Sequence, residues 1–222
     1  MIEDNLQKFA DELSSFDRTR LLAVSKTKNS QLVRTAYDYG QRDFGENKVL
    51  ELLEKSEALK VTCPKLNWHF IGHLQSNKIN SLLKVSNLVS IHSIDSIKLL
   101  NKLLSKIIDK KIGLFLQFNI SAEKEKSGFS RESDLFDAID MIEKHPTFYL
   151  QGLMSIGKIR TESFEEEARL GFKKLRALKQ KIEAHYDVSL ELSMGMSADY
   201  KIALEEDSNW IRIGSGIFGQ RE

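Results

Sequence analysis

The feature that most constrains this chain is an alternation. Eight short runs rich in apolar, β-branched and aromatic residues recur along it: Leu21–Val24, Arg42–Phe44, Trp68–Ile71, Leu88–Ile91, Gly113–Ile120, Tyr149–Met154, Leu190–Ser193 and Trp210–Ile213. Nearly all are followed by segments with helical spacing. Leu32, Val33 and Ala36 share one face, as do Leu99, Leu103 and Ile107, and Phe172, Leu175 and Leu178. Asp95 and Ser163 stand where helix N-caps are expected. Strand, helix, strand in succession implies parallel strands joined by crossovers. Eight such units within 222 residues is the count of an α/β fold of one domain over 1–222, a (β/α)8 TIM barrel. A doubly wound open sheet is the rival that periodicity does not exclude. The G-x-G-x-x-G fingerprint, however, is absent after every early strand. Residues 1–20 precede the first strand as an amphipathic helix, with Leu6, Phe9, Leu13 and Phe16 on one face, packed on the barrel. The charged stretch Glu162–Lys181 reads as the solvated face of a long helix.

Composition narrows the partners. Lys and Arg number 33 against 32 Asp and Glu, and a net charge of +1 argues against binding nucleic acid or anionic membrane by bulk electrostatics. No apolar stretch approaches the ~18 residues of a spanning helix. The start, Met1-Ile2-Glu3-Asp4-Asn5-Leu6, has neither the basic nor the apolar part of a signal peptide. A single cysteine, Cys63, rules out a disulfide scaffold and points to a reducing compartment, so the expected location is cytoplasmic.

Barrels of this kind gather their sites at the C-terminal ends of the strands. The residues to inspect are therefore Ser25-Lys26-Thr27-Lys28, Gly45-Glu46-Asn47, Gly72-His73, Asn119, Met154-Ser155, Gly195-Met196-Ser197 and Gly214-Ser215-Gly216. The last two clusters follow the seventh and eighth strands, where barrels hold phosphate with backbone N–H groups and a helix N-terminus. Glycine lets the backbone approach an anion, and serine adds a donor. Ser197 precedes the helical run Ala198–Glu205 and is expected to cap it. Arg212 alternates with apolar neighbours in Trp210-Ile211-Arg212-Ile213 and points opposite to them, into the barrel; the bland alternative is that it faces a surface helix or a structural carboxylate. Lys26 ends the first strand after Leu21-Leu22-Ala23-Val24, and an amine desolvated there can form a Schiff base with an aldehyde. Lys28 is two residues on, and spacing alone does not choose between them.

Other patterns are weaker. His69 and His73 lie four apart on a strand-to-loop stretch without the H-E-x-x-H carboxylate, and read as satisfied core or loop histidines. Cys63 has no partner for metal or redox work, and no G-x-x-x-x-G-K-S/T phosphate loop occurs.

Laid out in order, these residues resemble a known family, the pyridoxal 5′-phosphate (PLP)-binding homeostasis proteins. More distantly, the chain is similar to the barrel domain of alanine racemase. The matching segments are Leu22-Ala23-Val24-Ser25-Lys26-Thr27-Lys28, Phe44-Gly45-Glu46-Asn47 and His69-Phe70-Ile71-Gly72-His73-Leu74-Gln75-Ser76-Asn77-Lys78. Further on come Asn119-Ile120-Ser121 with Glu123, Lys126 and Gly128, and then Gly152-Leu153-Met154. The match closes with Leu192-Ser193-Met194-Gly195-Met196-Ser197 and Arg212-Ile213-Gly214-Ser215-Gly216-Ile217-Phe218-Gly219.

The resemblance implies that Lys26 carries PLP as a Schiff base, with Lys28 a neighbour, and that Ser197 with Gly214 and Ser215 holds the phosphate. It sets Arg212 against the pyridine nitrogen, with the phosphate as second choice. It lines the pocket with Asn47, Met154 and Met194 to Met196. Lys48 and Gly157-Lys158 depart from the family pattern at the pocket rim. A racemase needs a second, opposed base, which the racemases take from a further domain across a dimer interface. The chain ends at Glu222, just after its last strand, so a monomeric carrier or buffer of PLP is expected, delivering it to apo PLP-dependent enzymes. Lys126 is a candidate for assisting release. The alternatives are a PLP enzyme with weak racemase or lyase activity, and a barrel enzyme acting on a phosphorylated metabolite without PLP.

Overall fold

The computed structural model describes residues 1–120, 127–157 and 163–220. Its eight strands are β1 (Arg20–Val24), β2 (Asp43–Glu46), β3 (Asn67–Phe70), β4 (Leu88–Ile94), β5 (Ile112–Gln117), β6 (Phe148–Met154), β7 (Glu191–Met196) and β8 (Trp210–Ile213). Each pairs in parallel with the next, and β8 returns to β1 through Leu22 opposite Arg212, which closes the barrel. The open-sheet rival is thereby excluded.

Nine α-helices are described: α1 (Ile2–Leu13), α2 (Ser30–Asp38), α3 (Val49–Leu59), α4 (Ile79–Leu82), α5 (Ile97–Leu104), α6 (Glu132–Glu143), α7 (Phe164–Tyr186), α8 (Tyr200–Glu205) and α9 (Ser215–Phe218). Local chemistry sets their starts. Asn29 caps α2 by accepting the Leu32 N–H, and Ser96 caps α5 by accepting that of Leu99. Asp95 is therefore not the cap; its carboxylate meets His73 and the Ser96 hydroxyl instead. Ser163 does stand at the start of α7, but its hydroxyl turns to the Glu167 side chain and makes no cap bond. Likewise Asp199, not Ser197, precedes α8 and accepts the Met196 N–H at 2.6 Å. Ile107 lies beyond α5 and is fully exposed, because the helix ends at Leu104.

The expected helix over 1–20 is shorter, ending at Leu13. Ser14 turns its hydroxyl back onto the Asp11 carbonyl, the kind of local bond that competes with helix. Leu6 and Phe9 are its buried residues; α1 packs beside α2 and α9, and Phe9 meets Tyr200 of α8 edge-on at 5.6 Å. Burying two such side chains contributes about 1.5–3 kcal/mol each.

The main core fills the layer between strands and helices, with Phe44, Phe70, Leu114, Leu116, Leu192, Met194 and Ile211 among its members. Inside the barrel the apolar filling is small: Leu22, Phe115, Met154 and Trp210, with Ile71 against them. Polar side chains occupy much of the rest. Near the N-terminal end, Glu191 accepts from the Trp210 indole at 2.7 Å and Gln151 at 3.0 Å and pairs with Arg20, whose guanidinium lies over the Trp210 ring. Higher up, His92 on β4 meets Ser193 on β7 across the lumen at 2.8 Å. A barrel usually packs branched aliphatics there; here hydrogen bonds take over that task beneath the mouth. No helix among the described residues is long and apolar enough to cross a membrane.

Candidate functional site

The C-terminal ends of β1, β7 and β8 surround a cavity of about 430 Å³. Its wall includes Val24, Lys26 and Lys28 after β1, Ile71 after β3, Met196 and Ser197 at the end of β7, and Arg212, Gly214 and Ser215 at the end of β8. Gly219 and Gln220 close it from the C-terminal side. Five of the expected site residues thus come together: Lys26, Ser197, Arg212, Gly214 and Ser215. The wall carries three basic side chains and, among the described residues, no carboxylate. Gly214 heads the one-turn helix α9, whose first N–H groups have no partner within it. Basic side chains, hydroxyls and orphan N–H groups together suit an anion such as a phosphate ester.

Arg212 forms the buried side of this wall. Its Nη1 donates to the Ser193 carbonyl at 2.6 Å and hydroxyl at 2.9 Å, and its Nη2 to the Ser155 carbonyl at 2.8 Å. Three of its five N–H donors are used in this way. Burial pulls its pKa down to about 10, against the opposing charge of Asp199. It points inward, as its alternation with apolar neighbours predicts. Below it, the Ser193 hydroxyl meets His92 Nδ1, while His92 Nε2 meets the Ser90 hydroxyl and lies 3.2 Å from His69 Nδ1. His69 Nε2 reaches Asp43 at 3.1 Å. Burial, then the charges of His69, Arg212 and Arg20, holds the pKa of His92 well below its ordinary value. For Asp43, burial raises the carboxyl pKa, but the bond and charge of His69 outweigh it and the net shift is downward.

Three expected residues lie outside the cavity wall. Asn47 lines a neighbouring cavity of about 300 Å³ with Lys48, His73 and Lys78. Met154 is buried inside the barrel against Leu22, Phe115 and Trp210. Met194 faces the helix layer, and the wall residue is Met196. The reason is a register irregularity between Ser193 and Met196, with Gly195 at φ +91°. That kink shifts strand parity, so Met196 follows Ser193 onto the mouth side. Lys28 donates its amine to the Gln220 carbonyl at 2.7 Å. Lys126 and Lys158, with Ser121 and Glu123, lie outside the described residues. His69 is a satisfied core histidine as expected, and exposed His73 pairs with Asp95. Cys63 is buried and free, and the described residues hold no cluster able to ligate a metal.

Sequence reasoning missed the support behind Lys26. Lys55, from α3, is buried and donates to the Ser25 carbonyl, Glu46 and Glu51. Its i,i+4 spacing from Glu51 resembles an ordinary surface pair; the signal for it is Glu46, a carboxylate at a strand end that burial obliges to find a cation.

The family described as alanine racemase, N-terminal domain, matches residues 1–222. The closed barrel and this match put the chain in one class, the parallel barrel of the alanine racemase N-terminal type. Alanine racemase from E. faecalis has a TM-score of 0.75 at 18% identity, over 99% of this chain and 57% of that longer one, a likeness of fold alone. PipY of Synechococcus elongatus, with PLP bound, has a TM-score of 0.88 at 31% identity over 99% of this chain and all of its own. The pyridoxal phosphate homeostasis protein of Homo sapiens is 40% identical over 216 residues, covering 91% of this chain and 77% of that one. The chain belongs to the pyridoxal phosphate homeostasis protein family.

Proposed function

We propose that this protein binds PLP in the mouth cavity, attaches it to Lys26 as a Schiff base, and acts in PLP homeostasis as a carrier or buffer. The observation that carries the reading is Lys26 sharing one cavity with Ser197, Gly214, Ser215 and Arg212. Bound there, PLP would supply an aldehyde with which the Lys26 amine could condense, a C=N bond replacing C=O and the oxygen leaving as water. Hydrolysis reverses it, so the attachment hides a reactive aldehyde without consuming it. The Ser197 hydroxyl and the backbone at Gly214 and Ser215 are assigned to the phosphate. Arg212 is assigned to the pyridine nitrogen. A guanidinium there keeps that nitrogen unprotonated and blunts the ring as an electron sink, which disfavours carbanion chemistry.

The wall also favours a carrier over an enzyme. A racemase needs two acid–base groups on opposite faces of the substrate. Among the described wall residues the ionisable side chains are Lys26, Lys28 and Arg212, and the Lys28 amine is occupied by Gln220. Proposed recipients are apo PLP-dependent enzymes. The test mixes PLP-loaded protein with such an apo-enzyme and follows recovered activity, while a parallel sample is incubated with an L-amino acid. Recovery without multiple-turnover racemisation or elimination is expected. Sustained turnover abolished by Lys26→Ala would replace the carrier reading with a weak PLP enzyme.

A further inference from the structure

The segment bearing Lys26 is gripped on both sides. Ser25 is fully buried; its N–H donates to the Gly45 carbonyl at 3.1 Å and its hydroxyl to Glu46 Oε1 at 2.7 Å. Its carbonyl accepts the Lys55 ammonium at 2.7 Å and the Lys28 N–H at 3.0 Å. On the other side, Thr27 sits at φ +66°, a left-handed conformation that a β-branched residue resists. Its N–H donates to Glu51 Oε1 at 2.6 Å. The three protons of Lys55 are matched by three acceptors: the Ser25 carbonyl, Glu46 Oε1 at 2.6 Å and Glu51 Oε1 at 2.7 Å. One buried ammonium therefore ties the residue before Lys26 to the carboxylate holding the residue after it.

We propose that Lys55, Glu46 and Glu51 form a positioning clamp that holds Thr27 left-handed and thereby aims the Lys26 amine into the cavity. It rests on the reading of Lys26 as the attachment point. None of the three clamp side chains lines the cavity, although Glu51 lines the neighbouring one with Asn47. The clamp's contribution is to geometry at the amine, where misplacement slows bond formation without weakening the grip on the rest of the ligand. Lys55 and Glu46 are unsuitable for the first test. Removing Lys55 leaves the buried Glu46 carboxylate unpaired, and removing Glu46 takes the fully buried partner from the Lys55 ammonium, so either risks the fold. Glu51 is partly exposed, and Glu51→Ala removes the tie to Thr27 while leaving the Lys55–Glu46 pair.

The experiment measures two quantities. One is the rate at which added PLP becomes attached to Lys26, followed by absorbance and by borohydride trapping. The other is the affinity for pyridoxamine 5′-phosphate, which lacks the aldehyde and reports only the cavity. Glu51→Ala is expected to slow attachment at least tenfold while pyridoxamine phosphate affinity stays within twofold. Adding Thr27→Asn, a residue that tolerates the left-handed region, is expected to restore most of the lost rate. The clamp is overturned if Glu51→Ala attaches PLP at the wild-type rate, if affinity falls in parallel with rate, or if Thr27→Asn restores nothing. If the wild-type protein itself gains no label on Lys26, the underlying assignment fails instead, a result separable from all three.

Discussion

Gly195 is where the fold and the site depend on one backbone torsion. It takes φ +91° at the irregularity that turns Met196 and Ser197 towards the mouth. A Cβ placed there would lie 2.5 Å from the Ala203 Cβ and 3.0 Å from the Tyr200 Cα. Gly195→Ala therefore meets two costs. A non-glycine residue in a sparsely populated region costs about 1–3 kcal/mol, and over-packing a filled core costs about 1–3 kcal/mol more. Their sum, about 2–6 kcal/mol, is a large part of the roughly 5–15 kcal/mol that holds a domain together. Urea unfolding of Gly195→Ala, Ala203→Gly and the double variant separates the two costs. Ala203→Gly alone loses about 1 kcal/mol of helix propensity, but in the double variant it removes the closer of the two contacts and leaves the one to the Tyr200 backbone. A favourable coupling of about 1–3 kcal/mol is expected, with the torsional cost left over. A single variant within about 0.5 kcal/mol of wild type would refute the reasoning, as would strict additivity.

Three further outcomes follow from the same structure. Arg212→Met removes both the burial cost of a guanidinium whose pKa is pulled down to about 10 and its three hydrogen bonds. These oppose each other, so apo stability should shift by less than about 3 kcal/mol. PLP affinity should fall at least tenfold, and unchanged affinity in a binding titration would remove Arg212 from the site. His92, held neutral by burial in the folded state, takes up a proton below its ordinary pKa of 6.5 only on unfolding. Stability is thus full above pH 6.5 and should fall below it by up to about 1.4 kcal/mol per pH unit. Urea midpoints at about pH 7 and 5.5 should show this slope reduced in His92→Gln, and equal slopes would contradict it. Phe9→Ala should cost about 3–5 kcal/mol and release α1 to proteolysis, whereas a wild-type unfolding midpoint would show that α1 does not brace the barrel.

The sequence carries the barrel because each strand is a short apolar run and each helix repeats its apolar face at a distinct period. Leu21–Val24 and Phe172, Leu175, Leu178 are therefore legible without coordinates. Ser197 after β7 and the Gly214–Ser215 pair after β8 are legible as a group because glycine and serine are the residue types suited to an anion at a strand end, whereas Gly195 serves the kink of β7 and does not line the cavity. Parity at the end of β7 was not readable. Period-two counting puts Met194 and Met196 on the same outer face as Leu192; the left-handed Gly195 moves Met196 alone to the mouth, so of the stretch Met194 to Met196 implied by the resemblance the wall has Met196 and not Met194. The polar lumen was hidden as well: His69, His92 and Ser193 are far apart in sequence and meet only when the barrel closes. Lys55 was hidden by its setting, because a lysine four residues after a glutamate on a helix reads as a solvated pair. Its burial depends on the packing of α3 against Ser25 and Glu46.

The most direct test of the central assignment is the absorbance spectrum after adding PLP, before and after borohydride, for wild type and Lys26→Ala, followed by peptide mapping. A visible Schiff-base band is expected in the wild type, which borohydride converts into a stable label on the Lys26 peptide, with no such band or label in Lys26→Ala. A label on another lysine, or an undiminished band in Lys26→Ala, would contradict it.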